Sequence, residues 1–254
     1  LLCDFDDKTT GSRIISAEAA DVDGDGRAEV FLSVHDRLAS AVETHVLDCR
    51  EGAFKLRETL PWLVRSFAEE SGGRRLAAQS LEPNASFPAS SVHRLAFANG
   101  KYALEKPPFK NKRLEWVYGF GFAPAVGGPT LLFYNQAKRL VLRFAKGSWT
   151  TPVAYGFGSG HLQWHGTEFH FHPRLLTRVE GGDLKAVYSL RNIPKLVSLS
   201  AAFGLYGGSE LHRLAFNGLS LEPVWRADLA GSAAGLDEVP AGPDRPRRLA
   251  VAMV

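Results

Sequence analysis

An all-β chain is what this sequence predicts, on three observations. Its apolar runs are four to eight residues long and rich in Val, Phe, Tyr and Leu. Gly, Pro and Asn separate those runs, and a glycine-bearing turn feeding an apolar strand recurs along the chain. Long helical periodicity is missing; the one weak exception, "TLPWLVRSFAEES" (Thr59–Ser71), is expected to carry a turn or two of helix.

The recurrence defines the elements. Taking "DGRAEVFLSV" as the template, the same punctuation appears in "GGRRLAAQSL", "GGPTLLFYN", "HGTEFHFHP", "GGSELHRLAF" and "RPRRLAVAMV". The last turn position falls at Gly26, Gly73, Gly128, Gly166, Gly208 and Pro246, at intervals of 38 to 55 residues. "YGFGF" at Tyr118, "YGFGS" at Tyr155 and a looser "FGLYG" at Phe203 precede three of these turns. After most of them comes a second hairpin: "HVLDCREGAFKLRE", "HRLAFANGKYALEK", "LVLRFAKGSWTTP" and "LLTRVEGGDLKAVY". Each carries a Glu-Gly, Asn-Gly, Lys-Gly or Gly-Gly pair between extended runs, as a tight hairpin with φ > 0 requires. One unit therefore reads as four strands, and four-stranded units of about 40 to 50 residues are the signature of β-propeller blades. The expectation is a single β-propeller domain over residues 1–254, of six to seven blades with the last truncated. Leu1–Gly11 is expected to supply an outer strand. The chain has no initiator Met and closes on an apolar run, so it is read as cut from a longer polypeptide.

Composition removes several classes. Thirty basic against 27 acidic side chains leave a formal charge of +3, and the longest run of basic character is "RPRR" (Arg245–Arg248), so no nucleic-acid partner is expected. No apolar stretch is long enough to span a bilayer. Cys3 and Cys49 lack any metal-ligand spacing; they fit buried thiols, or a disulfide in an oxidising compartment. "NAS" at Asn84 matches a glycosylation acceptor.

The stretch with chemistry in it is "DVDGDGRAE". Asp21, Asp23 and Asp25 stand at positions 1, 3 and 5, Gly26 makes the turn at 6, Arg27 offers a backbone carbonyl at 7 and Glu29 sits at 9. Hard oxygen donors at this spacing suit Ca²⁺, whereas Mg²⁺ demands a stricter octahedron and keeps its waters. Four carboxylates in one loop repel each other, so a bound cation is expected to stabilise the region. A helix-loop-helix calcium hand is excluded, because position 12 is Leu32, inside the strand-like run "EVFLSV".

These residues resemble the FG-GAP/VCBS repeats, whose propeller blades carry D-x-D-x-D-G-x-x-[DE] between their first two strands, as in integrin α-subunit heads. The resemblance is specific over Ile15–Val34 and looser elsewhere. It implies Ca²⁺ held by Asp21, Asp23, Asp25, the Arg27 carbonyl and Glu29. The other repeats depart from the pattern: the third has Ala123, Ala125, Gly127 and Leu131 at the equivalent positions, and the fifth has Phe203, Leu205, Gly207 and Leu211. One blade with an ion argues for a local staple rather than a switch.

The fourth repeat places His161, Gln163 and His165 on the former ligand positions, followed by Glu168, His170 and His172. His161, His165, His170 and His172 form a second metal candidate for Zn²⁺ or Cu²⁺, weighed against ordinary packing histidines. No nucleophile elbow, zinc-protease motif or phosphate-cradling loop is present, so no catalytic residue is nominated. Trp62, Trp116, Tyr118, Trp149, Tyr155, Trp164 and Trp225 lie near turns or strand starts and are expected to fill the spaces between blades. The functional expectation is a non-enzymatic, calcium-stapled β-propeller module that contacts a protein or a glycan outside the cytoplasm, periplasmic, cell-surface or secreted, alongside further domains of its polypeptide. The alternative is the scaffold or substrate-binding domain of an extracellular polysaccharide hydrolase or lyase.

Overall fold

Two compact units make up the chain, Leu1–Val117 with Trp164–Thr167 and Tyr118–Gln163 with Glu168–Val254. The computed structural model describes residues 12–36, 39–50, 52–68, 74–81, 90–106, 109, 114–123, 131–158, 160–195, 205–239 and 248–253. Every regular element among them is a strand. Leu1–Gly11, Cys3 and Asn84 lie outside the described residues.

In the first unit, β1 (Ser12–Ala20), β2 (Glu29–Asp36), β3 (Ala41–Arg50) and β4 (Ala53–Leu60) form an antiparallel meander in chain order. A second meander follows: β5 (Leu63–Ala68), β6 (Arg74–Gln79), β7 (His93–Ala98) and β8 (Lys101–Leu104). Of the helical turns expected over Thr59–Ser71, none forms among the described residues, which run to Ala68. Thr59 and Leu60 end β4, and Leu63–Ala68 pairs residue for residue with β6, which buries Leu63, Val64 and Phe67. Tertiary pairing outweighs a weak helical periodicity there.

The two sheets of this unit share a core of Phe31, Val46 and Leu60 with Val64, Leu76, Leu95 and Tyr102. A buried polar seam joins them. Thr44 Oγ1 donates to the Trp62 carbonyl at 2.7 Å, the Val64 amide donates to Ser33 Oγ at 3.2 Å, and Ser66 Oγ donates to Glu18 Oε2 at 2.6 Å. Arg65 lies 3.1 Å from the other oxygen of Glu18. These pairings satisfy groups whose burial would otherwise be costly.

In the second unit, β9 (Phe120–Phe122), β10 (Leu131–Tyr134), β11 (Arg139–Arg143) and β12 (Ser148–Ala154) make one meander. β13 (Gly160–Trp164) and β14 (Thr167–Phe171) form a two-stranded sheet whose tip, Trp164–Thr167, belongs to the first unit. β15 (Leu176–Glu180), β16 (Asp183–Pro194), β17 (Tyr206–Phe216) and β18 (Leu221–Leu229) make the other meander, and β19 (Ala233–Val239) pairs with β20 (Arg248–Met253). The core of this unit gathers Leu132, Tyr134, Leu140, Leu142, Tyr155, Val187 and Leu214.

Among the described residues, four four-stranded sheets and two two-stranded ones therefore stand where six or seven four-stranded blades were expected. Each four-stranded sheet is the antiparallel meander of a propeller blade. The miscount has a definite origin. The turn at Gly166 opens only the hairpin β13–β14, and the hairpin β15–β16, read as the second half of that repeat, pairs instead with β17. β16 and β17 run for 12 and 11 residues, and their matched register buries Leu190 and Leu211.

The repeated "YGFG" has a packing reason. Gly119 and Gly156 both press on the Tyr134 ring: a Cβ on Gly119 would fall 2.5 Å from Tyr134 Cδ2, and one on Gly156 would fall 2.9 Å from Cδ1. Only glycine lets both backbones approach this closely. Trp116, Tyr118, Tyr155 and Trp164 are buried, Trp62 and Trp149 pack against the cores, and Trp225 is exposed.

Candidate metal centre

The candidate loop is the connection between β1 and β2, which pair up to Ala20 and Glu29. Two glycines in left-handed backbone, Gly24 at φ 78° and Gly26 at φ 85°, let the chain reverse inside eight residues. The carboxylates then fold the loop around themselves. Asp21 accepts from the Gly24 amide at 2.8 Å and from the Gly26 amide at 3.0 Å; Asp23 accepts from Asp25 at 3.1 Å and Asp25 from Arg27 at 2.8 Å. Glu29, buried at the first residue of β2, accepts from the Val22 amide at 3.1 Å. Such short-range bonds are why Asp dominates turns of this kind.

One ligand atom each from Asp21, Asp23 and Glu29 lies within 4.8 Å of the others. Asp25 stands outside this group. It lines a small pocket beside the loop with Arg27, Ala28, Glu29, Asp48, Cys49 and Arg50. Arg27 contributes its amide to Asp25, and its side chain is exposed. The donor set suits a hard divalent cation. It is all oxygen and strongly acidic, and a carboxylate oxygen that accepts one amide hydrogen keeps a second lone pair.

A residue that the motif does not contain completes the geometry. Arg57, on β4, sends Nη1 to Asp23 Oδ2 at 2.7 Å and to Glu29 Oε1 at 3.2 Å, and lies 3.7 Å from Asp48 Oδ1. Its guanidinium also stands 4.8 Å from the Phe97 ring centroid and 5.5 Å from that of Tyr102. A β-bulge places it there: Val46 pairs with Glu58 and Leu47 with Leu56, leaving Arg57 as the extra residue. Arg57 holds Asp23 below the usual carboxylate range, whereas burial, reinforced by the charge of Asp23, pushes Glu29 above it. Beneath the guanidinium, the buried Tyr102 hydroxyl has no hydrogen-bond partner among the described residues, and burial together with the Glu29 charge raises its pKa. Neither Arg57 nor Tyr102 is legible from loop spacing; the one sequence signal is that the apolar alternation of "AFKLRETL" breaks just after Arg57, at Glu58.

The histidines of the fourth repeat divide. His161 and His170 bring their rings to 6.3 Å between centroids, and His170 Nε2 lies 3.6 Å from Glu168. His172 turns away to donate Nδ1–H to the Gly156 carbonyl at 2.7 Å, with its ring 5.0 Å from that of Tyr134. His165 sits at the hairpin tip with φ 43° and packs on Trp164. Burial lowers the pKa of His170 and pushes that of His172 down to about 4. Among the described residues, these four do not bring their ligand atoms together as the loop carboxylates do.

No family model and no curated protein matches this chain.

Proposed function

We propose that this chain is a non-enzymatic β-propeller module, stapled by one Ca²⁺ in the loop from Asp21 to Glu29, that contacts a protein or glycan outside the cytoplasm. The observation carrying this reading is the convergence of Asp21, Asp23 and Glu29 within 4.8 Å on a glycine-built hairpin. By the FG-GAP/VCBS resemblance, Asp25 and the Arg27 carbonyl complete the set. The bound ion supplies positive charge that neutralises the carboxylates and joins the start of β2 to the end of β1; the chain supplies the oxygens and the turn.

Two further features support the setting. Cys49 is disulfide-bonded, and disulfides persist mainly in oxidising compartments. The edge strand β18 and the turn before it expose Leu219, Val224 and Trp225, and a solvent-facing tryptophan is the side chain that recognition surfaces favour. Extracellular loops of this class bind at about 10⁻⁴ to 10⁻³ M, an affinity that extracellular calcium satisfies.

Isothermal titration tests the reading. Ca²⁺ is expected to bind at one site in that range, Mg²⁺ more weakly, and Asp23→Ala is expected to abolish the Ca²⁺ heat. Equal binding of both ions, or calcium binding undiminished in the variant, contradicts it.

A further inference from the structure

Resting on the calcium reading above, we infer that Arg57 is the resident counter-cation of the loop, and that a divalent ion binds by exchange with it rather than by filling an otherwise unpaired acidic site. The guanidinium engages two of the three carboxylates that converge, Asp23 and Glu29, through the oxygens those groups turn away from the loop amides. Arginine stays charged at every physiological pH, so this pairing does not relax by deprotonation. The loop is therefore partly charge-compensated without metal, one guanidinium standing against the three converging carboxylates, and a cation seeking Asp23 and Glu29 meets a competitor already in place.

Three features make Arg57 more than a chance surface pair. It is the bulge residue of β4, aimed out of the regular alternation. Its side chain is 25% exposed and that of Glu29 beneath it 3%, so the Glu29 half of the pairing is partly shielded while the Asp23 half faces solvent. Phe97 on β7 and Tyr102 on β8 give the guanidinium a second holding surface independent of the carboxylates. Occupancy of the loop is thereby tied to a contact between the two sheets of the first unit. An ion that takes Asp23 and Glu29 leaves Arg57 to the rings alone.

Exchange predicts a measurable cost in affinity. When the competent form of a site is a minor fraction, the apparent dissociation constant rises by the inverse of that fraction; an Arg57-free population of about one tenth weakens binding about tenfold. The test is Ca²⁺ titration of the full chain, of Arg57→Gln and of Arg57→Lys, with thermal unfolding of each in chelator. Arg57→Gln is expected to bind Ca²⁺ about tenfold tighter than wild type, to melt lower in chelator and to regain the difference when Ca²⁺ is added. Arg57→Lys, which keeps the charge without the fork, is expected to tighten binding by less, and it supplies the comparison should the Gln variant not fold. Wild-type binding with equal or weaker binding in the variants overturns the exchange and leaves the calcium site standing. No binding by any of the three up to about 10 mM, tenfold above the weakest extracellular sites, overturns both.

Discussion

Gly119 and Gly100 both have positive φ, 86° and 78°, yet they predict different mutational costs. A Cβ on Gly100 meets nothing within 4 Å, so Gly100→Ala costs only the left-handed backbone term, about 1 kcal/mol. A Cβ on Gly119 would fall 2.6 Å from His172 Cβ as well as against Tyr134, so Gly119→Ala is expected to cost about 2–4 kcal/mol by urea unfolding. Equal losses at the two sites would mean that the Tyr134 sandwich is not tight. The neighbouring His172 sets a pH dependence. Its folded pKa of about 4 lies below its unfolded value near 6.5, so between these the unfolded chain binds more protons. Its contribution is fully present above about pH 6.5 and is lost as pH falls towards 4. His172→Gln should flatten the stability profile across that window; an unchanged profile would show that the ring titrates as it does in the unfolded chain.

Within the second unit, one side chain ties strand to strand. Asn192, fully buried on β16, donates Nδ2–H to the Phe157 carbonyl at 2.9 Å and to the Ala233 carbonyl at 3.0 Å, and accepts from the Ala233 amide at 2.8 Å. Asn192→Leu leaves those backbone groups unpaired in the core and is expected to cost about 2–4 kcal/mol in denaturant unfolding. A loss under 1 kcal/mol would mean that the attachment of β19 is carried by Leu190, Leu211 and Leu236 alone. Hairpins were the most readable elements. Asn99-Gly100 and Gly181-Gly182 turn where φ > 0 is needed; the strands beside the first pair in plain register, while those beside the second carry a bulge at Arg178/Val179. Phasing those hairpins into sheets was not readable, because the alternation of β15–β16 fits equally with the hairpin before it and the hairpin after it. Only the long register of β16 with β17 decides. Arg57 was hidden for a related reason: a bulge moves a side chain between faces without changing composition.

For the whole chain, the all-β class followed from run length and glycine punctuation, and those signals survive errors in phase because every alternative grouping is still built of strands. The loop was legible in its acids and glycines and blind to its cation, since spacing within nine residues carries nothing about a side chain 28 positions beyond Glu29. The disulfide at Cys49 predicts that reduction lowers the unfolding midpoint, with a loss of about 2–4 kcal/mol. Cys49→Ser should show the same loss and no response to reductant; a response in the variant would place the effect elsewhere. Thermal unfolding of the purified chain in millimolar Ca²⁺, in Mg²⁺ and in chelator, beside Asp23→Ala, tests the central claim that the loop is a structural calcium site. A structural calcium site raises the midpoint with Ca²⁺ alone, a gain that the variant abolishes. A midpoint indifferent to Ca²⁺ in the wild-type chain would contradict it.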